Sequence, residues 1–286
     1  MPACEVCFRK CRPAEGETGA CGARMNRGES IQPVYYGQLS SLALDPIEKK
    51  PLAHFYPGSM ILSAGSLGCN LHCPFCQNHE IAQAGENGRF DIRTEEVSPE
   101  KLVKLAESCR KRGNIGIAFT YNEPLVGYEY VRDTAKQAHA KGLKCVLVTN
   151  GTASLSVLEE LAPYIDAMNI DLKGFTDRYY REVLKGDRSM TMAFIRESVR
   201  RCHVELTTLI VPGENDTREE MRELSGWIAG LQGVYGGKPG RDIPLHVSRF
   251  FPRYRMTDRA PTAVQSVYDL AETARENLRF VHTGNC

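Results

Sequence analysis

The sequence predicts an α/β fold: a partial (β/α)6 barrel of the TIM type behind an irregular, cysteine-rich N-terminal module. Three observations carry this. From Met60 onward, short apolar segments alternate with segments that are apolar at helical spacing, as expected of βα units with parallel strands and right-handed crossovers. Residues 1–58 show little periodicity and hold many turn formers. Finally, 11 cysteines stand in 286 residues, seven of them in two tight groups. The boundaries follow as 1–58 for a metal-binding module and 59–286 for the barrel. A doubly wound open sheet is the alternative arrangement of the same units.

The strand candidates, in order, are Met60–Ala64, Ile115–Thr120, Lys144–Thr149, Ala167–Leu172, Val204–Val211, Ile243–Val247 and Phe280–Thr283. Each is short and rich in apolar residues, as buried parallel strands are. Between them, Ser98-Pro99 reads as an N-cap with proline in the first turn. Leu102, Leu105, Ala106 and Cys109 then repeat at helical spacing, and Gly113 ends the segment. Leu125–Lys141, Ser154–Leu161, Met192–Cys202, Arg218–Leu231 and Ala263–Asn277 are the next helix candidates. Asp216 is expected to cap the helix that follows it. The stretch from Gly233 to Arg241 reads as a flexible loop.

Composition narrows the function. Hydrophobic residues make up 42% and charged residues 25%, ordinary values for a globular protein. Lys and Arg number 36 against 35 Asp and Glu, a net charge of +1. That indicates no bulk attraction to nucleic acid or to anionic membrane. No apolar run approaches the roughly 20 residues that span a bilayer, and the N-terminus lacks the apolar stretch of a signal peptide. A cytoplasmic location is expected. In a reducing compartment, grouped cysteines point to metal rather than to disulfides.

The central group follows the first barrel strand: Cys69, Cys73 and Cys76, spaced C-x3-C-x2-C on a loop with Gly68 and Pro74. Ligand loops in parallel α/β folds sit at strand C-termini. Thiolates favour zinc or iron–sulfur clusters. Structural zinc wants four ligands, and a cluster held by three cysteines keeps one iron open to a small molecule. Here the chain resembles the radical S-adenosylmethionine superfamily, from about Met60 to Asn285. Leu62 to Asn78, with Phe75 before the third cysteine, is similar to activating enzymes of the pyruvate formate-lyase type. It looks closer still to the radical enzyme of the AmmeMemoRadiSam system. The resemblance implies a [4Fe-4S] cluster whose open iron chelates S-adenosylmethionine, which is cleaved reductively to start radical chemistry. It also implies flanking roles for Phe75 and Gln77, and an electron donor such as flavodoxin or ferredoxin.

Later strand ends fit the same resemblance. Tyr121-Asn122-Glu123-Pro124 stands where the superfamily has Gly-Gly-Glu-Pro, so Asn122 and Glu123 are implied to meet the ammonium of S-adenosylmethionine. Thr149-Asn150-Gly151 reads alone as a turn and by resemblance as part of the cofactor wall. Val148 replaces an aspartate that serves a monovalent cation in activating enzymes. Alternation puts Asn169, Asp171 and Lys173 on one side of their strand, and Asp171 and Lys173 resemble a cofactor-binding motif. Gly213 is implied to support the adenine and His246 to contact the cofactor. Arg249 is a candidate for holding an anionic group.

The N-terminal group, Cys4, Cys7, Cys11 and Cys21, offers four thiolates. Its spacing is compatible with structural zinc or with a second iron–sulfur cluster. Cys109, Cys145, Cys202 and Cys286 have no assigned role. The expected function is a radical S-adenosylmethionine enzyme acting on an unidentified substrate. The alternatives are an activase that places a glycyl radical on a partner protein, and a non-catalytic zinc-binding interaction module.

Overall fold

The computed structural model describes residues 1–84 and 90–286. The chain begins with an irregular segment and a small antiparallel hairpin, β1 (Arg24–Asn26) with β2 (Ile31–Pro33). Then come β3 (Gln38–Leu39), β4 (Ser41–Pro46), β5 (Met60–Gly65), the single turn α1 (His79–Ala82) and β6 (Glu95–Glu96). The alternating array continues with α2 (Pro99–Ser108), β7 (Asn114–Phe119), α3 (Tyr128–Ala140), β8 (Lys144–Thr149) and α4 (Leu155–Leu161). It ends with β9 (Ala167–Asp171), α5 (Arg188–Ser198), β10 (His203–Ile210), α6 (Arg218–Ala229), β11 (Leu245–Arg249), α7 (Val264–Arg275) and β12 (Val281–Gly284).

The main sheet has eight strands in the order β12-β11-β10-β9-β8-β7-β5-β4. Seven are parallel, and β4 lies antiparallel to β5 at one edge. The sheet is a partial barrel with β4 and β12 at its ends, as the alternation predicts. Short β3 and β6 pair separately. The edge strand β4 lies before residue 59, the expected start of the barrel, yet belongs to the main sheet.

Local chemistry explains the starts of the helices. Ser98 accepts from the Lys101 amide with Pro99 in the first turn, so α2 starts where the sequence places it. Helix α5 starts earlier than the apolar pattern suggests, because the Asp187 carboxylate accepts from the Met190 amide. Thr217, not Asp216, caps α6 by accepting from the Glu220 amide. Asp216 is turned back to accept from the Gly213 amide at 3.0 Å, which closes the preceding turn. The expected loop at 233–241 holds two 3-10 turns, Tyr235–Gly237 and Gly240–Asp242.

Three apolar clusters shape the molecule. The largest lies between the sheet and its helices and includes Phe119, Leu147, Ile170, Phe194, Leu206 and Leu245. A second, of Ile47, Leu52, Phe55, Ile61, Ala118, Val146 and Ala167, is built where the β4–β5 connection meets the sheet. This connection is also tied to β10: the amides of Ala53 and His54 donate to the Glu205 carboxylate at 2.9 and 2.7 Å. The third cluster surrounds the central cysteine loop: Leu71, Cys73, Phe75, Tyr179, Tyr180, Leu184, Val211, Phe250 and Met256. No helix of the described residues is long and apolar enough to cross a membrane.

Candidate functional site

A cavity of about 380 Å³ opens at the C-terminal ends of the parallel strands, a volume suited to a small organic ligand. Cys69, Cys73 and Cys76 line one side of it, together with Phe75, Gln77 and Asn78. The loop after β5 reaches this position because Gly68 takes φ +94° and packs against the N-terminal module. A Cβ there would lie 2.6 Å from the Ala23 Cβ and 2.8 Å from the Cys21 carbonyl oxygen. Burial raises all three thiols, Cys73 to about 11. Metal binding here must therefore displace protons.

Two donors already point at the Cys69 sulfur: the Leu71 amide at 3.4 Å and the Asn150 side-chain amide at 3.6 Å. The same Asn150 group donates to the Asn70 side-chain oxygen at 2.9 Å, and Asn70 donates to the Thr152 carbonyl at 2.6 Å. Asn150 thus ties the cysteine loop to the end of β8. Among the described residues, no three His, Cys, Asp or Glu side chains converge on the place of a single ion. Three soft thiolates of one loop are the donors an iron–sulfur cluster takes, each binding its own iron. Donors to sulfur and an apolar surround are what hold and tune iron–sulfur clusters.

Opposite the cysteines stand Asn122, Glu123, Thr149, Asn150, Asp171 and Lys173, all on the cavity wall. Glu123 is buried, and burial pushes its carboxyl up to about 7. That rise is limited by donors from the Asn150 amide at 2.8 Å, the Thr149 hydroxyl at 2.6 Å and the Leu125 amide at 3.1 Å. Asn122 fastens the loop by accepting from the Ser66 amide at 2.9 Å. Asp171 and Lys173 form an ion pair at 2.7 Å. Burial works against the Lys173 ammonium, but the Asp171 carboxylate holds it well above its usual range. Asn215, which the sequence did not single out, donates to the Lys173 carbonyl at 2.7 Å and accepts from the Val211 amide at 2.7 Å. It pins the ends of β9 and β10 side by side.

Three expected site residues are not brought to the cavity wall. His246 lies two positions into β11, and its Nε2 is 2.7 Å from Glu205. Ser248, further along the strand, is the β11 residue that lines the cavity. Gly213 serves the turn closed by Asp216. Arg249 donates to the Thr262 carbonyl at 2.7 Å and lies over the Phe251 ring. Asn169, grouped with Asp171 by alternation, donates to the Pro51 carbonyl at 2.8 Å and accepts from Thr207 at 2.9 Å. The cavity also takes in Lys49, Lys50, Thr120, Tyr121, Thr207, Leu209 and Asn285, which were not named as site residues. The adjacent pair Lys49-Lys50 after an apolar strand was the available signal, but it lies in the stretch read as irregular.

Cys4, Cys7, Cys11 and Cys21 line one small cavity. Burial raises Cys21 to about 11 and also raises Cys7, whose thiol is paired with Asn70. The module clamps to the barrel through Arg24, which donates to Glu129 on α3 at 2.7 and 2.9 Å. Arg9 donates to the Asn70 carbonyl at 2.9 Å.

The chain has relatives among known proteins. The family model for the radical SAM superfamily matches residues 65–225. An uncharacterized protein of Methanocaldococcus jannaschii is 37% identical over 290 residues, 99% of this chain and 80% of that protein. Pyruvate formate-lyase 1-activating enzyme of Escherichia coli is 24% identical over 170 residues, covering 58% of this chain and 68% of the enzyme. Among solved structures, Streptococcus suis SuiB bound to S-adenosylmethionine superposes with a TM-score of 0.58 at 15% identity. That likeness covers 77% of this chain and 49% of SuiB, so the chain spans about half of SuiB's length and the likeness speaks for the fold.

Proposed function

The chain belongs to the radical SAM superfamily, and on that premise we propose that it cleaves S-adenosylmethionine reductively and starts radical chemistry on an organic substrate. Membership implies a [4Fe-4S] cluster and S-adenosylmethionine as cofactors. The observation that carries the reading is one cavity lined by three cysteines of one loop and, facing them, by Glu123, Asn150, Asp171 and Lys173. When bound, the reduced cluster would supply the electron for reductive cleavage of S-adenosylmethionine. The chain's own residues bind, orient and shield. Cys69, Cys73 and Cys76 would hold the cluster, and Asn150 fixes their loop. The Glu123 carboxylate would accept from the cofactor ammonium, and the Asp171–Lys173 pair offers both signs of charge to its polar groups. Phe75, packed edge-on against Phe250 at 6.0 Å, screens the cysteine loop from water. Anaerobically purified protein is expected to be brown and to carry iron; a colourless protein holding only zinc would contradict the reading.

The four N-terminal thiols are a candidate second metal centre, for zinc or for a second cluster. Asn70 favours the cluster, since it pairs with Cys7 and with Asn150, which itself donates to Cys69. A centre one side chain from the catalytic loop is placed to pass electrons from a donor such as flavodoxin or ferredoxin. An activase role on a partner protein is supported by the likeness to pyruvate formate-lyase 1-activating enzyme. The open sheet, with ends at β4 and β12, would admit a polypeptide loop.

A further inference from the structure

At the end of the cavity beside the Tyr121-Asn122-Glu123 loop, we infer that Lys49 and Lys50, which no cofactor motif claims, are braced by Asp45 and by Tyr121 of that loop and form a subsite for an anionic group of the substrate. This deepens the function proposed above and rests on it.

Strand β4 and the 3-10 turn Ile47–Lys49 after it deliver these residues. Lys50 is 3% exposed, yet it lines the cavity. A buried ammonium is costly unless paired, and Asp45 pairs it at 2.9 Å. The same Asp45 oxygen accepts from the Tyr121 hydroxyl at 2.8 Å, and the Lys50 ammonium sits 4.6 Å from the Tyr121 ring centroid. Lys49 approaches the other Asp45 oxygen at 3.6 Å and is largely exposed. This end of the cavity therefore sets two ammonium groups against one carboxylate, and that carboxylate is already committed. The surplus charge is positive, and Lys49, exposed and 3.6 Å from Asp45, keeps donors that Asp45 does not take up. Across the cavity Asp171 and Lys173 balance each other, and the Glu123 carboxyl is taken up by the Thr149 hydroxyl and the Asn150 and Leu125 amides.

The backbone supplies a second, independent observation. Tyr121 has φ +74°, an outlying conformation for a bulky side chain that the surroundings must hold in place. Gly65 makes room: a Cβ there would come within 2.9 Å of the Tyr121 ring. The Asn78 amide holds the Tyr121 carbonyl at 2.8 Å. Strain of this kind clusters at ligand clamps, and here it brings the ring over Lys50. The chemistry recognised is a carboxylate or phosphate group, with the reacting carbon between this end and the cysteine loop.

The test is thermal unfolding of reconstituted holoprotein with S-adenosylmethionine, at constant ionic strength, against inorganic phosphate, pyrophosphate and succinate. Wild type should show a saturable rise in Tm with at least one of them, and phosphate or carboxylate preference identifies the source of the charge. Lys49→Gln, which removes an exposed side chain and spares the fold, should raise the half-saturating concentration at least tenfold. Lys50→Met should abolish the rise, while the remote Lys238→Gln should leave it unchanged. No saturable shift with any probe, or the same half-saturation in Lys49→Gln as in wild type, overturns the inference. If 5′-deoxyadenosine still forms in that case, the anion subsite fails and the radical function stands.

Discussion

At the scale of single residues, Glu123 gives the sharpest prediction. Its carboxyl is raised from an ordinary 4.5 to about 7 by burial. In the ligand-free protein the native state therefore holds this proton more tightly than the unfolded chain. The group's contribution to stability declines as pH rises from about 4.5 to about 7. An ammonium ligand needs the ionised form, so binding of S-adenosylmethionine should weaken up to tenfold per unit as pH falls below about 7. Equilibrium binding across that range checks it: Glu123→Gln should flatten the profile, and an unchanged profile would remove Glu123 from the binding site. Gly68 is the second case. Gly68→Ala places a methyl against Ala23 and the Cys21 carbonyl at a positive φ, and it should lower stability by about 1–3 kcal/mol. Denaturant titration reads that loss, and iron content after reconstitution should fall with it. The cysteine triplet was legible because its spacing is chemistry in itself. Asn70, Asn215 and Lys50 were not, because a buried asparagine or lysine shows its role only through its partners.

At the scale of elements, β10 carries a charge among apolar neighbours. Glu205 is fully buried and held by two backbone amides, His203 at 2.9 Å and His246 at 2.7 Å. Burial alone would raise its carboxyl; these donors overcome that and lower it to about 2. Its stabilisation is present above the ordinary 4.5 and is lost as pH falls from there towards about 2, in total about 3 kcal/mol. Glu205→Gln should remove most of that acid sensitivity and lower stability at neutral pH, both read by chemical denaturation across pH. Thr217→Ala should cost about 1 kcal/mol through the cap of α6, whereas Asp216→Ala should leave that cap intact. The positions of the parallel strands were legible from the alternation, because buried parallel strands are short and apolar. The depth of a residue along a strand was not. His246 lies below the cavity and Ser248 at its wall, and the single apolar run around them does not mark where the strand ends.

At the scale of the whole molecule, the N-terminal module and the barrel share one packed interface through Arg24–Glu129, Arg9–Asn70 and the Gly68 contact. The sequence showed the cysteines and the change of pattern near residue 58. The participation of β4 was hidden, since an antiparallel edge strand breaks the βα rhythm. If the N-terminal thiols hold a second cluster, a Cys4→Ser/Cys7→Ser double variant should lose about four irons per chain and keep the central centre. Metal analysis showing one zinc and undiminished iron would reverse that assignment. The central claim is that Cys69, Cys73 and Cys76 arm this cavity for reductive cleavage of S-adenosylmethionine. Its most direct test is mass spectrometry of cofactor-derived products after anaerobic reconstitution and dithionite reduction, in wild type and Cys73→Ala. The account predicts 5′-deoxyadenosine and methionine from wild type and neither from the variant. No cofactor-derived product from an iron-loaded wild type, or equal product from both proteins, would contradict it.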